Sequence, residues 1–137
     1  MRNVELIPLK DFPLVAPGTD LAALIAGALT QQGLALQERD VVVVAQKIVS
    51  KAEDRFVRLD SVTPSAEAVR ISEECRKDAR IVEVILRESN RIVRLRKDLI
   101  IAEHRQGFIM ANAGVDQSNI GGADEEILLL PLDALAR

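Results

Sequence analysis

The stretch "DVVVVAQKIVSKAEDR", residues 40–55, joins four consecutive valines to a segment that sets lysines among small and apolar residues. Valine is β-branched and loses rotamer freedom in a helix, so the run favours a strand. Being apolar on both faces, it reads as a central strand buried on both sides rather than as an edge. Such a strand needs cover over each face, which implies a layered core of helices and strands. Beyond Ala45 polar side chains enter. Gln46, Lys47, Ser50 and Lys51 gather at the carboxyl end of the expected strand, where open α/β sheets tend to hold ligands. If this segment coils, Lys47 and Lys51 stand four apart on one face and repel modestly. That is tolerable on a solvated surface and useful if a polyphosphate lies between them. The pattern alone leaves a solvated helix start and an anion site both open.

Upstream, "VELIPL" is a short strand candidate. "APGTDLAALIAGALTQQG" then places Thr19 or Asp20 as a cap, Leu21, Leu24, Ile25, Ala28 and Leu29 on one helical face, and Gly33 at the stop. Downstream, "RFVRL" reads as a strand. "TPSAEAVRISEECRKD" reads as a helix opened by Pro64, with Ala68, Ile71 and Cys75 on one side. "DARIVEVILRESN" gives a second helix whose inward stripe is Ile81, Val82, Ile85 and Leu86, the Glu- and Arg-rich faces of the pair being solvated. Further strands are expected in "RIVRLR", "DLIIAEH", "GFIMAN" and, after a Gly121-Gly122 turn, "EILLLP". No repeat, linker or boundary interrupts the chain, so residues 1–137 are expected to form a single domain.

The 137 residues are 48% hydrophobic and 28% charged, an ordinary globular composition. Lys plus Arg number 18 against 21 Asp plus Glu, and the only aromatics are three Phe. With neither an electrostatic surplus nor stacking platforms, nucleic acid is not an expected partner. The single Cys75 cannot form an intrachain disulfide and suits a small buried hydrophobic position. "MRNVELIPLK" has no apolar core of signal-peptide length and no segment approaches the ~18 apolar residues of a membrane span, so no membrane partner is expected and the cytoplasm is the expected location. There is no phosphate loop ending in Lys-Ser or Lys-Thr and no dinucleotide fingerprint. His104, in the polar "AEHRQG", reads as a surface residue, and with one Cys and one His any metal chemistry must use carboxylates.

A second polar cluster, "ANAGVDQSN" at residues 111–119, comes directly after the apolar Phe108, Ile109 and Met110. Asn, Asp and Gly bond their own backbone and accept left-handed conformations, so the cluster reads first as a turn. The functional reading is that Asp116 supplies a hard oxygen ligand to Mg²⁺ or Mn²⁺ while Asn119 donates to a bound ligand.

"VVVVAQKIVSKAEDR", "TPSAEA", "ILRES", "GFIMANAGVDQSN" and "LLLP" occur in the order and spacing of the coenzyme F420-0:L-glutamate ligases, and the chain resembles that family over nearly its whole length. The most specific parts are "SKAE" and "NAGVDxSN". The resemblance implies a GTP- and divalent-metal-dependent ligase that adds γ-linked L-glutamate to coenzyme F420-0 by way of an acyl phosphate. It places nucleotide contacts at Phe12, Pro13, Leu14 and Val15, at Gln46 and Lys47, at a phosphate-directed Lys51, and at Asn119. It places the metal at Asp116. Mg²⁺ or Mn²⁺ are the implied ions, with K⁺ a further candidate. Catalytic residues proper are not assigned.

Two departures stand out. Asp54 takes a position where the family commonly has glycine, which still permits a left-handed turn but adds a negative charge near the phosphate site that the resemblance implies. The family's ligase unit is also about twice as long, its second half carrying a further metal-binding Asp-Thr pair and another nucleotide-binding stretch. The expected fold is accordingly α+β, a mixed β-sheet with packed helices in the manner of the N-terminal portion of an F420 γ-glutamyl ligase. Three functions compete: a ligase portion inactive without a C-terminal half, a stand-alone nucleotide- or metal-binding module, and an oligomerising structural domain without catalysis. A homo-oligomer is expected, since the apolar surface that the missing half covers would otherwise be bare.

Overall fold

Asp20 opens the first helix because its carboxylate accepts the backbone N–H of Ala23 at 3.0 Å, satisfying a donor that the first turn leaves orphaned. In the computed structural model, which describes residues 4–117 and 126–132, this helix α1 spans Leu21–Gln31. Leu21, Leu24, Ile25, Ala28 and Leu29 make its sheltered face, and Gly33 comes next in the left-handed conformation. The expected cap, stripe and stop are all present.

Helix α2, Gln46–Ala52, is succeeded by Asp54 at φ 53° and then by strand β1, Phe56–Arg58. Asp54 thus makes the left-handed turn that a glycine would make. Helix α3, Ala66–Cys75, is capped by Ser65, whose hydroxyl accepts the N–H of Ala68 at 3.2 Å. Helix α4, Ala79–Arg87, is capped by Asp78. Strands β2, Ser89–Arg96, β3, Leu99–His104, and β4, Ile109–Ala111, form an antiparallel meander, with Lys97 and Asp98 as the tight turn between the first two. Strand β5, Glu126–Leu128, pairs antiparallel with β1, Phe56 opposite Leu128. The α+β class expected from the sequence is the one observed, and the described strand pairs are antiparallel.

The core lies between the α3–α4 pair and the sheets. Ala68, Ile71 and Cys75 of α3 meet Val82, Val84 and Ile85 of α4, with Ile100 and Ala102 of β3, Leu59, Ala113 and Ile127 completing the cluster. Cys75 is fully buried, as a small hydrophobe should be. Ile81 and Leu86 pack against the edge of this cluster. Among the described residues no helix is long and apolar enough to cross a membrane.

Three expectations are corrected. Residues 41–44 are not a buried central strand: they lie outside any helix or ladder and are exposed. β-Branching sets a local preference for extended backbone, but a buried strand also needs neighbours on its edges, and no described strand runs beside this one. "VELIPL" likewise forms no strand, and Val4 and Leu6 are exposed. His104 is not a surface residue. It belongs to β3, where Ile100, Ala102 and His104 alternate inward, and the period of two carries it into the protein despite its polar neighbours. Backbone N–H of Gln106 donates to His104 Nδ1 at 3.1 Å, so the ring proton sits on Nε2, which faces Glu88 Oε2 at 3.4 Å.

Candidate functional site

The site is built where two distant segments meet across β5. Strand β5 lies between β1 on one side and the backbone of Asp116 on the other. Asp116 N–H donates to Leu128 O at 2.9 Å, and Leu128 N–H donates to Asp116 O at 2.8 Å. Helix α2 runs directly into β1, so the same strand sets Lys47 relative to Asp116. Lys47 Nζ stands 2.7 Å from Asp116 Oδ2, with both side chains about a third exposed. At that exposure the pair is worth roughly 0–1 kcal/mol to stability, so its interest is positional.

Asp116 is aimed by a strained turn. After β4, residues Asn112–Gly114 form one 3₁₀ turn in which Asn112, Ala113 and Gly114 all have positive φ, at 52°, 50° and 74°. Left-handed backbone costs an ordinary residue ~1–2 kcal/mol, and such strain is typically held at functional sites. At Gly114 a side chain has no room, since a Cβ would fall 2.5 Å from Leu130 Cγ.

Asp116 and Asn112 line a polar cleft of ≈ 520 Å³ whose rim carries Lys77, Asp78 and Arg80 at the start of α4. The Arg80 guanidinium holds the Asp78 carboxyl below its usual range, outweighing partial burial. Asn112 Oδ1 is buried and has no hydrogen-bond partner among the described residues, and Asn112 and Asp116 line the same cleft. No group of three or more His, Cys, Asp or Glu that could hold a metal occurs among the described residues. A divalent ion here would rely on one carboxylate, an amide oxygen and ligand oxygens. That donor set suits Mg²⁺ or Mn²⁺, which bind through one or two carboxylates together with substrate phosphates.

The other expected residues fall around α2. Gln46 Nε2 donates to the fully buried Ser50 Oγ at 2.8 Å. Lys51 is half-buried one turn beyond Lys47 on the same face, and has no ion pair among the described residues. The loop from Phe12 is tied to the end of α2 by Gly18 N–H donating to Ala52 O at 2.9 Å. Within it, Phe12 lines an apolar cleft with Ile48 and residues 41–45, Val15 is buried, and Pro13 and Leu14 point outward. Asn119 lies outside the described residues, as does the Gly121-Gly122 turn. The structure therefore joins Lys47 to Asp116 and gathers Phe12, Gln46 and Lys51 about one helix.

Sequence reasoning missed the cleft's Asn112, Lys77 and Arg80; Asn112 shares the quoted cluster with Asp116, whereas the α4 residues carried no signal beyond a charged helix start. It also missed what Glu53 and Arg55 do. Glu53 Oε2 accepts Leu132 N–H at 2.6 Å, Arg55 Nε donates to Leu130 O at 2.8 Å, and Arg55 Nη2 meets Glu88 Oε2 at 3.0 Å. These two residues of "SKAEDR" fasten "LLLPL" beside β1.

The α+β scaffold thus sets a lysine-bearing helix against a carboxylate on a strained turn. The sequence profile of the F420-0:Gamma-glutamyl ligase family matches residues 10–137. The coenzyme F420:L-glutamate ligase of Methanothermobacter thermautotrophicus is 45% identical over 118 residues, covering 86% of this chain and 47% of that protein. The protein of that name from Methanopyrus kandleri is 45% identical over 131 residues, covering 96% and 48%. Its namesake in Archaeoglobus fulgidus is 35% identical over 131 residues, covering 96% and 49%. The chain belongs to the F420-0:gamma-glutamyl ligase family, and it spans about half the length of the curated relatives it matches.

Proposed function

We propose that the chain supplies nucleotide- and cation-binding elements of a GTP-dependent ligase that joins L-glutamate through a γ-linkage to coenzyme F420-0. The observation that carries this reading is the Lys47–Asp116 ion pair, because it brings together the two segments, "QKIVSKAE" and "NAGVD", on which nucleotide and metal contacts are expected. The family description and the relatives' shared name support the substrates.

In this reading the Lys47 ammonium neutralises Asp116 in the ligand-free chain and turns to a phosphate when GTP arrives. Lys51, one turn along, meets the same triphosphate as a compact point charge, and Phe12, Pro13, Leu14, Val15, Gln46 and Asn119 hold the nucleoside. Mg²⁺ or Mn²⁺, held through Asp116 and Asn112 with K⁺ as a further candidate cation, would neutralise phosphate charge. A carboxylate oxygen of F420-0 attacks the γ-phosphorus, the bond to the bridging β-oxygen breaks, and GDP leaves with the electron pair. The amine of glutamate then attacks the acyl phosphate carbonyl, phosphate departs, and the amine proton passes to solvent. The cytoplasm is the compartment this GTP-consuming step calls for.

The remaining positioning groups are assigned to the C-terminal half of the ligase unit. Near-attack geometry demands separations of ~3–3.5 Å among several groups acting together, so this chain alone should show no turnover. The test is F420-0 glutamylation with GTP, Mn²⁺ and glutamate, for the chain alone and co-produced with the C-terminal half of the Methanothermobacter relative. Turnover only in the complex supports the reading. Turnover by the chain alone overturns the division into halves, and a stable complex without turnover overturns the assignment of the reaction.

A further inference from the structure

Residues 41–44 carry the side-chain alternation of a strand without a strand partner among the described residues. Val41 and Val43 are 82% and 86% exposed, whereas Val42 and Val44 are 44% and 38% exposed, so alternate side chains point to opposite sides. All four valines line the open apolar cleft of ≈ 430 Å³, Val42 and Val44 being the better sheltered, and its other walls include Ile7, Phe12, Ile25 and Leu36. Val4, Leu6 and Leu14, close in sequence to the cleft's Ile7 and Phe12, add exposed apolar surface. A pleated, β-branched segment with bare edges and a bare face is a template for strand addition and a hazard if left uncovered.

We propose that residues 41–44 form a docking edge for an apolar β-strand from the C-terminal half of the ligase unit, which adds main-chain hydrogen bonds along the valines and fills the cleft. The proposal rests on the reading of this chain as one half of that unit. The occupant is identified by the length of the matched relatives, which carry about as much sequence again outside the part this chain matches. That unmatched half belongs to the same polypeptide in those relatives, so it is held at high effective concentration beside this face.

Hydrogen exchange tests this on three proteins: the chain alone, the full-length Methanothermobacter relative, and the chain co-produced with that relative's C-terminal half. Amides 41–45 should exchange freely in the chain alone, and at least ~100-fold more slowly in the complex and at the aligned positions of the full-length relative. Val41→Lys with Val43→Lys changes side chains already in water, so melting of the chain alone should be unchanged. In the complex these ammonium groups would be buried, and capture of the C-terminal half should weaken by about 100-fold or more. Fast exchange at the aligned segment of the full-length relative overturns the docking edge, as does capture indifferent to the lysines. Either result leaves the GTP-binding reading standing, because nucleotide affinity of the chain is measured separately. Protection that arises on concentrating the chain alone overturns the proposed occupant in favour of a second copy.

Discussion

Gly114→Ala is the substitution whose cost the structure fixes most closely. Two effects add. Gly114 has φ 74°, a left-handed conformation that costs alanine ~1–2 kcal/mol. The new Cβ would meet Leu130 Cγ at 2.5 Å and Cδ2 at 2.6 Å. Leu130 is nearly buried and its carbonyl is fastened by Arg55 Nε at 2.8 Å, so it has little room to retreat. Overpacking of this kind costs ~1–3 kcal/mol, giving a total loss of roughly 2–5 kcal/mol. Urea denaturation of the purified chain measures it. The steric part is separable by a double-mutant cycle: Leu130→Ala alone should cost ~2–5 kcal/mol, but combined with Gly114→Ala it should show a coupling of ~1–3 kcal/mol, since the cavity accepts the methyl group. A loss below ~0.5 kcal/mol for Gly114→Ala, or strict additivity with Leu130→Ala, would refute the view that this contact fixes the turn bearing Asp116.

Arg55→Ala strips Glu88 of its guanidinium partner and releases Leu130 O, so it should cost ~3–5 kcal/mol by denaturation, whereas Arg58→Ala, at an exposed pair with Asp60, should leave the denaturation midpoint unchanged. Acid should also destabilise the fold. Ser65, through its hydroxyl and its N–H at 2.9 Å, holds the Glu83 carboxyl below its ordinary 4.5, and Arg80 holds Asp78 below its ordinary 3.8. Folded carboxyl groups with lowered pKa stabilise fully above the unfolded values, and that contribution is lost as pH falls through the folded ones. Melting temperature should therefore drop as pH is taken below about 4.5, and Glu83→Gln should make that drop shallower.

Much of the scaffold was legible in the sequence because its signals are local. Asp20 and Ser65 announce their helices by capping chemistry, and the inward stripes of α3 and α4 arise from a period of 3.6. What was not legible depends on partners distant in the chain. "VVVV" and "ILLL" look alike as apolar runs, yet Ile127 and Leu128 are buried because β1 and Asp116 flank β5, whereas residues 41–44 have no strand neighbour among the described residues. His104 misleads for the same reason, its polar surroundings in sequence saying nothing about which face of β3 it takes. At the site, Lys47 and Asp116 each stand out in sequence, but their meeting depends on β5 pairing with β1 on one edge and with Asp116 on the other. Asn112 and the α4 residues of the cleft needed the fold before they could be seen.

The most direct test of the central claim is calorimetric titration of GTP into the chain with and without Mn²⁺, repeated for Asp116→Asn and Lys51→Ala. A charge-assisted phosphate bond is worth roughly 1.5–3 kcal/mol, so Lys51→Ala should weaken GTP binding about tenfold or more. Mn²⁺ should tighten GTP binding to the parent chain, and GTP should tighten Mn²⁺ binding by the same factor, because the coupling is reciprocal. Asp116→Asn should abolish that coupling while leaving metal-free GTP affinity largely intact. GTP affinity that is the same with and without Mn²⁺, or that is indifferent to Lys51→Ala, would contradict the assignment of α2 and the Asp116 turn as a nucleotide–cation site.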